Sequence, residues 1–155
     1  MAHEPELSLS PLPDGSGWMA QASCVAIHGR GLLIIGKSGS GKSSLALQLI
    51  ALGASLVADD RTCLRTSSQG VEAFAPAAIE GQIEARGVGI LRLPVKPFVP
   101  LRALVDLKSL SSERLPEPEF TTILSQRLRR FQNFAGAAFP AALFLYMSGQ
   151  GDADE

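Results

Sequence analysis

The stretch GKSGSGKS at residues 36–43 separates the apolar run GLLII from the helix-like run SLALQLIALG. Three glycines, three serines and two lysines make poor core material, so the stretch predicts a loop that serves binding rather than packing. It fits the P-loop (Walker A) pattern G-x-x-x-x-G-K-[ST], with the required strand before it and helix after it. The predicted phosphate-binding residues are Gly36, Lys37, Ser38, Gly39, Ser40, Gly41, Lys42 and Ser43.

Each residue type in this loop suits a nucleotide phosphate. Glycines let backbone N–H groups converge on the phosphate oxygens, and the N-terminus of the following helix adds a partial positive charge. Lys42 is expected to reach the β- and γ-phosphates, and Ser43 to ligate Mg²⁺. The loop alone fits a GTPase, a transporter ATPase and a kinase equally well.

Composition restricts the class of protein further. The chain has 155 residues, 46% of them hydrophobic, which predicts one domain. The net charge is −1 and the basic residues are spread out except for RLRR at 127–130, which argues against nucleic-acid binding. The apolar run FAGAAFPAALFLYM falls short of the roughly 20 residues that span a bilayer, and predicts instead a buried helix beginning at Pro140.

The two ends of the chain differ from its middle. The first residues are acidic and Pro-rich without the features of a signal peptide, and Cys24 and Cys63 are predicted to be buried reduced thiols, which together favour the cytoplasm. We expect a flexible segment over residues 1–16, one P-loop domain over 17–148 and a disordered acidic tail over 149–155.

The apolar pattern between these ends is mainly that of strands. It predicts a single α/β domain with a mixed sheet around the P-loop. The predicted strands are 19–27, 32–35, 55–58, 63–65, 71–74, 88–93 and 103–107, with one helix over 43–52, a turn at 28–31, and loops over 94–100 and 109–119.

Three acidic sites compete to complete the chemistry: Asp59-Asp60 in LVADD, Glu84 in IEARG and Asp106 in ALVD. Phosphoryl transfer to a hydroxyl needs both a Mg²⁺ partner and a group that takes the proton. The adjacent acids could divide these tasks, because consecutive strand residues point to opposite sides. Asp106 is expected instead to pair with a nearby Lys or Arg.

The stretches GRGLLIIGKSGSGKSSLALQLIALGASLVADD and IEARGVGIL, within residues 19–90, resemble the catalytic domain of HPr kinase/phosphorylase. This family acts on a seryl residue of the phosphocarrier protein HPr, and the chain resembles its short alphaproteobacterial form, which lacks the N-terminal domain. The resemblance implies a fold like that of phosphoenolpyruvate carboxykinase, with ATP and Mg²⁺ as cofactors. It also implies HPr as partner and allows inorganic phosphate or pyrophosphate as co-substrates and a homo-oligomer.

The resemblance implies roles for individual residues. Asp60 would be the general base in phosphorylation and the general acid in the reverse direction, with Lys42 at the phosphates. Glu84 would be the second Mg²⁺ ligand, and Asp59 would support the metal. Arg114, in ERLPEP, is similar to an arginine of a DRL-like triplet that stabilises the transferring charge.

The chain departs from the family pattern at one position beside the site. The family has a histidine twenty-one residues before the catalytic lysine, where this chain has Gln21. His28 is close in sequence but falls in the turn HGRG, where an ordinary surface histidine is expected. Two functions therefore stay open: a serine kinase acting on HPr, with or without phosphorolysis, and a nucleotide-sensing regulatory module with weak or no transfer.

Overall fold

The computed structural model describes residues 2–3 and 7–150. Within them the chain forms thirteen strands, two α-helices, and one turn each of 3₁₀ and π helix at Ala77–Ile79 and Tyr146–Gln150. The strands are β1 (Ala2–His3), β2 (Leu9–Pro11), β3 (Trp18–Ala20), β4 (Ala22–Ile27), β5 (Arg30–Ile35), β6 (Ser55–Ala58), β7 (Thr62–Ser67), β8 (Gly70–Phe74), β9 (Gln82–Ala85), β10 (Gly89–Arg92), β11 (Phe98–Ser111), β12 (Glu119–Ile123) and β13 (Gln126–Phe134). The helices are α1 (Lys42–Ala51) and α2 (Phe139–Leu145).

A mixed sheet carries the site. Strand β5 is parallel to β11, which is parallel to β13 on its other side, while β4 runs antiparallel to both β5 and β6. Strand β12 adds an antiparallel neighbour to β13. The predicted α/β class with a mixed sheet is confirmed.

The sequence of strand β5 is apolar without alternation because both faces of the strand are buried. Leu33 and Ile35 belong to one buried cluster, together with residues of β7 and β8. Leu32 and Ile34 belong to a second cluster on the opposite face, under α1 and α2. A strand covered on both faces reads as a continuous hydrophobic run, and GLLII is such a run.

Helix α1 lies directly after the glycine-rich loop, defined as residues 36–41. Leu45 and Leu49 turn toward the second cluster and are buried. The helix ends where the N–H of Gly53 donates to Ile50 O, with Gly53 at a φ of 123°, a conformation that favours glycine. The predicted helix over 43–52, with Gly53 as its stop, is confirmed to within one residue.

Strand β11 links two parts of the sheet. Its beginning pairs with β8. It pairs with β5 from Leu101 onward, with a register shift between Leu101 and Ala103, and with β13 from Ala103 onward. The predicted loop over 94–100 is therefore wrong at its end, since Phe98–Pro100 is already paired. Pro100 is accepted because it lies next to that irregularity, where strands tolerate a missing N–H.

Other departures come from strands with weak sequence signals. The predicted loop over 109–119 overlaps the end of β11, and β9, β12 and β13 are additional strands. The sequence also predicts a flexible segment over 1–16, yet Leu9–Pro11 pairs with β3 and Ala2–His3 pairs with β12. The acidic residues 151–155 lie outside the described part.

Two further expectations concern the state of the cysteines and the presence of a membrane-spanning helix. Cys24 and Cys63 are buried and unpaired, as predicted. Burial raises the pKa of both thiols, and Asp14 adds a smaller upward effect at Cys63. No helix in the described part of the chain is long and apolar enough to cross a membrane.

Asp106 is held in a buried ion pair. Its Oδ2 accepts from Arg130 Nη2 at 3.0 Å, and both side chains are 9% exposed. Arg130 Nη1 also donates to Glu119 at 2.6 Å. The expectation that Asp106 pairs with a nearby basic residue is confirmed, and the network joins β11, β12 and β13.

We predict that Arg130→Met lowers the free energy of unfolding by about 3 to 5 kcal/mol, because Asp106 would stay buried without its partner. Arg92→Met, at an exposed arginine of β10, should change it by less than about 0.5 kcal/mol. Urea unfolding measures both. Adding Asp106→Leu to Arg130→Met should recover part of the loss, and fully additive losses would contradict the coupling.

Candidate active site

The glycine-rich loop joins the end of β5 to the start of α1. Gly39 and Gly41 have φ values of 80° and 103°, in the left-handed region that side chains other than glycine rarely adopt. A Cβ at Gly36 would collide with the Ser40 hydroxyl. The backbone of this turn therefore requires glycine at these positions.

Lys42 lies beneath the loop. Its Nζ donates to Gly36 O at 3.0 Å and to Lys37 O at 3.2 Å, and its side chain is only 4% exposed. The third near neighbour is Asp60 Oδ1, at 3.8 Å. A buried ammonium group held mainly by two neutral carbonyls supplies positive charge at the loop.

The Asp59 carboxylate collects hydrogen bonds from three elements. Its Oδ1 accepts from Ser43 Oγ of α1 at 2.6 Å and from Ser23 Oγ of β4 at 3.0 Å. Its Oδ2 accepts from the backbone N–H of Glu84 in β9 at 3.2 Å. The structure thus brings Asp59 and Ser43, two of the predicted metal residues, into direct contact.

Asp60 adopts a different environment from its neighbour. It follows the end of β6 with a φ of 66°, and its side chain is 57% exposed beside Lys42. The sequence argument ascribes the separation of the two acids to the alternation of a strand, but the left-handed backbone at Asp60 produces it. Such a conformation is uncommon in residues other than glycine, although Asp adopts it more often than most.

Ser23 holds the acid pair in place, and the sequence analysis misses it. The fully buried hydroxyl donates to Asp59 Oδ1 and accepts from the backbone N–H of Asp60 at 3.0 Å. One side chain therefore fixes the carboxylate of one acid and the backbone of the next. The available signal was a lone serine within the apolar strand ASCVAI.

Two predicted residues stand farther from this centre. Glu84 contributes its N–H to Asp59, while its exposed carboxylate lies 3.9 Å from Arg86 Nε. Arg114 is exposed in the connection 112–118, between the end of β11 and the start of β12. Among the described residues, no hydrogen bond or ion pair joins Arg114 to the acids or to Lys42.

Gln21 and His28 lie at opposite ends of the hairpin of β4 and β5. Gln21 precedes β4 and lines a cavity of about 250 Å³ together with Gly36, Lys37 and Asp106. His28 is exposed in the turn at the other end. The expectation that His28 is a surface histidine is confirmed, and position 21 is the one beside the loop.

The residues present fit a nucleotide and Mg²⁺. Ser40 Oγ is buried in the loop without a hydrogen-bond partner among the described residues, and the first N–H groups of α1 lack acceptors within the helix. Oxygen atoms from Ser43 and Asp59 are the donors that Mg²⁺ prefers. In the described part of the chain, no group of three or more His, Cys, Asp or Glu side chains could hold a metal ion.

The fold and the site together define a mixed-sheet α/β domain with a glycine-rich loop beside a pair of adjacent acids. Residues 17–96 match the family model described as HPr Serine kinase C-terminal domain, and the chain belongs to this family.

Relatives and a solved structure agree with this assignment. The HPr kinase/phosphorylase of Clostridium acetobutylicum is 40% identical over 90 residues, covering 58% of this chain and 27% of that protein. That of Leptothrix cholodnii is 37% identical over 118 residues, covering 67% and 36%. The chain thus spans well under half of these relatives. The Hpr(Ser) kinase/phosphatase of Coxiella burnetii, 23% identical, matches the fold with a TM-score of 0.71 over 85% of this chain and 95% of that chain.

We predict that Ser23→Ala destabilises the protein by about 1 to 3 kcal/mol, because the Asp60 N–H loses its acceptor and Asp59 loses a donor. Ser112→Ala, at an exposed serine of the 112–118 connection, is the matched control and should change stability by less than about 0.5 kcal/mol. Urea unfolding gives the free energies, and hydrogen exchange should show faster exchange at the Asp60 amide. Unchanged exchange at that amide would contradict the assigned role.

Proposed function

We propose that this domain is an ATP- and Mg²⁺-dependent protein serine kinase that phosphorylates the phosphocarrier protein HPr, and that it also phosphorolyses phosphoseryl-HPr. The observation that carries the proposal is the meeting of Lys42, Ser43 and the Asp59-Asp60 pair at the glycine-rich loop. Membership of the HPr kinase family supports the choice of HPr as substrate. The buried, unpaired thiols support a reducing compartment, the cytoplasm.

The loop would hold the triphosphate of ATP. The backbone N–H groups at the start of α1 and the Ser40 hydroxyl supply hydrogen-bond donors. Lys42 Nζ, now on Gly36 O and Lys37 O, would exchange neutral carbonyl acceptors for charged phosphate oxygens. Bonds to a charged acceptor are stronger, so this exchange favours the bound nucleotide.

Ser43 and Asp59 would hold Mg²⁺, with Glu84 as a further ligand from the hairpin of β9 and β10. The bound ion would neutralise charge on the phosphates. The N–H of Glu84 already ties this hairpin to Asp59, so the hairpin and the acid pair are positioned together.

Asp60 would serve as the general base. Its exposed carboxylate can meet the seryl hydroxyl of a protein substrate, and Lys42 Nζ lies 3.8 Å away. In the forward step the seryl oxygen bonds to the γ-phosphorus, the bond to the ADP oxygen breaks, and the hydroxyl proton passes to Asp60. In phosphorolysis, an oxygen of inorganic phosphate would bond to the phosphorus of phosphoserine while the bond from that phosphorus to the seryl oxygen breaks. Pyrophosphate would leave, and Asp60 would return a proton to the seryl oxygen.

Arg114 is proposed to stabilise the transferring charge. It lies in the connection that follows β11. Because β11 is parallel to β5, with Asp106 in register with Ile35, this connection and the glycine-rich loop leave the sheet at the same end. An exposed connection leaves this arginine able to approach a bound protein substrate.

A nucleotide-sensing module with weak or no transfer is the second candidate, and Gln21 favours it. The amide beside the loop can donate hydrogen bonds but cannot take up a proton near neutral pH. Incubation with HPr, ATP and Mg²⁺, followed by mass spectrometry of HPr, separates the two. A gain of one phosphoryl group on a serine establishes the kinase, and ATP binding without this gain establishes the sensor.

We predict that Lys42→Ala abolishes ATP-dependent phosphorylation of HPr, because it removes the buried positive charge beneath the loop. Calorimetric titration with ATP and the mass of HPr measure binding and transfer. Glu80→Gln, at an exposed acid away from the site, is the control and should behave as wild type. Undiminished turnover in Lys42→Ala would disprove the role of the loop.

We predict that Asp60→Asn keeps ATP binding but loses transfer to HPr by roughly a hundredfold or more, the usual scale for a general base. Initial rates with HPr at saturating ATP measure this loss. If Asp106→Asn produced this separation of binding from transfer and Asp60→Asn did not, the base would lie on β11 rather than after β6.

We predict that Gln21→His raises transfer to HPr and adds a titration step near pH 6.5, the value of an unperturbed histidine, which wild type lacks at this position. The strand that begins after residue 21 supports this, because Ser23 of that strand contacts both acids. The pH dependence of the transfer rate is the measurement. An unchanged profile in Gln21→His, with activity lost in His28→Ala, would contradict the prediction.

A further inference from the structure

Four arginines gather at the end of β5 opposite the glycine-rich loop. Arg30 begins β5 and Gly36 follows its end, so the two positions are about 20 Å apart at roughly 3.3 Å per residue. Arg30, Arg102, Arg127 and Arg129 line a cavity of about 480 Å³, closed on one side by residues that follow α2. We name this cavity the arginine pocket. No acidic residue is among the described residues that line it.

Neutral groups hold three of these guanidinium groups, those of Arg30, Arg102 and Arg127, in place. Arg30 Nη1 donates to Met147 O and Arg102 Nη1 to Leu101 O, both at 2.9 Å. The Arg127 guanidinium lies 3.8 Å from the centre of the Phe120 ring. In the described part of the chain no carboxylate pairs with Arg30, Arg102 or Arg127, so the contacts orient the charges without neutralising them.

The fourth arginine is fixed from two sides. Arg129 Nη1 donates to Tyr146 Oη at 2.9 Å, and its guanidinium carbon lies 4.7 Å from the Phe131 ring centre and 5.1 Å from that of Tyr146. Side chains with restricted rotamers lose less entropy when a ligand binds. The pocket is therefore preorganised as well as positively charged.

Placing several guanidinium groups around one cavity is unfavourable unless an anion relieves their repulsion. Arginine forks match phosphate oxygens bidentately and do not lose their charge at any physiological pH. The cavity volume falls in the range of small-molecule sites, about 300 to 1,000 Å³. We propose that the arginine pocket binds a phosphate group, carried by inorganic phosphate or by a small organic phosphate monoester.

The pocket is separate from the site of the proposed kinase reaction. Its residues lie at the beginning of β5 and at the positions of β11 and β13 in register with it, whereas Lys42 and the acid pair lie beyond the other end of β5. The inference therefore stands whether or not the domain phosphorylates HPr.

Calorimetric titration with inorganic phosphate and with glycerol 3-phosphate, at low ionic strength, tests the proposal. The Lys42→Ala background removes the loop's lysine and so isolates the pocket. In this background we expect one phosphate site, and the added pair Arg102→Gln and Arg127→Gln should weaken it at least tenfold. Arg92→Gln, an exposed arginine away from the pocket, is the control and should leave the affinity unchanged.

The two ligands identify the source of the phosphate. Tighter binding of glycerol 3-phosphate assigns the pocket to a monoester, and equal or weaker binding assigns it to inorganic phosphate. Far-ultraviolet circular dichroism checks that the double variant is folded. If it is not, the single substitution Arg127→Gln at an exposed side chain is used, with a weakening of at least threefold expected.

Three results would overturn the proposal. The first is the absence of a phosphate site in Lys42→Ala, and the second is wild-type affinity in the folded arginine variants. The third is binding that occurs only after Asp152→Asn, Asp154→Asn and Glu155→Gln are introduced together. This last outcome would assign the pocket to the acidic residues at the end of this chain.

Discussion

The hydrogen bonds to the Asp59 carboxylate are the constraint on which the site depends. They come from Ser23 in β4, Ser43 in α1 and the backbone of Glu84 in β9, while Asp59 itself follows β6. Four elements that are separate in the sequence therefore have one relative position. Because a carboxylate with three donors is satisfied only in that arrangement, the chemistry of the site and the packing of its elements are determined together.

Positive charge at the glycine-rich loop and negative charge on the acid pair lie close together, since Lys42 Nζ is 3.8 Å from Asp60 Oδ1. Lys42 is buried with neutral carbonyls as its closest partners, and Asp59 accepts three hydrogen bonds. Asp60 is turned outward by its left-handed backbone. Only Asp60 of the two acids presents a mostly exposed carboxylate. The arrangement therefore gives the two adjacent acids different environments, one hydrogen-bonded within the protein and one facing solvent.

The sequence predicts the part of the fold where a local pattern records the environment of each residue. GLLII is apolar throughout because both faces of β5 are covered, and Gly53 ends α1 where a positive φ is needed. The loop glycines follow from the same conformational rule. Of the predicted metal residues, Ser43 follows from the P-loop motif and Asp59 from the family resemblance, and the structure brings the two into contact.

The rest depends on partners distant in the sequence. Strand β13 buries Arg130 between Asp106 and Glu119, so a charged residue occupies a core position and obscures the alternation. The role of Ser23 depends on its contacts with Asp59 and Asp60, which are distant in the sequence. The orientation of Asp60 comes from a backbone angle that the pattern of side chains does not reveal. The arginine pocket likewise combines residues from four strands and the segment after α2.

Strand β11 also has a consequence for how the chain reaches this fold. Its register with β5 pairs Leu104 with Leu33 and Asp106 with Ile35, partners that come from far apart in the sequence. Parallel pairings of this kind must close a long loop of chain before any contact compensates the lost entropy, which slows folding. Until β11 pairs with β5, the backbone of the apolar residues 32–35 is unpaired along one edge. Delayed pairing of β11 would therefore leave an apolar strand edge open to aggregation.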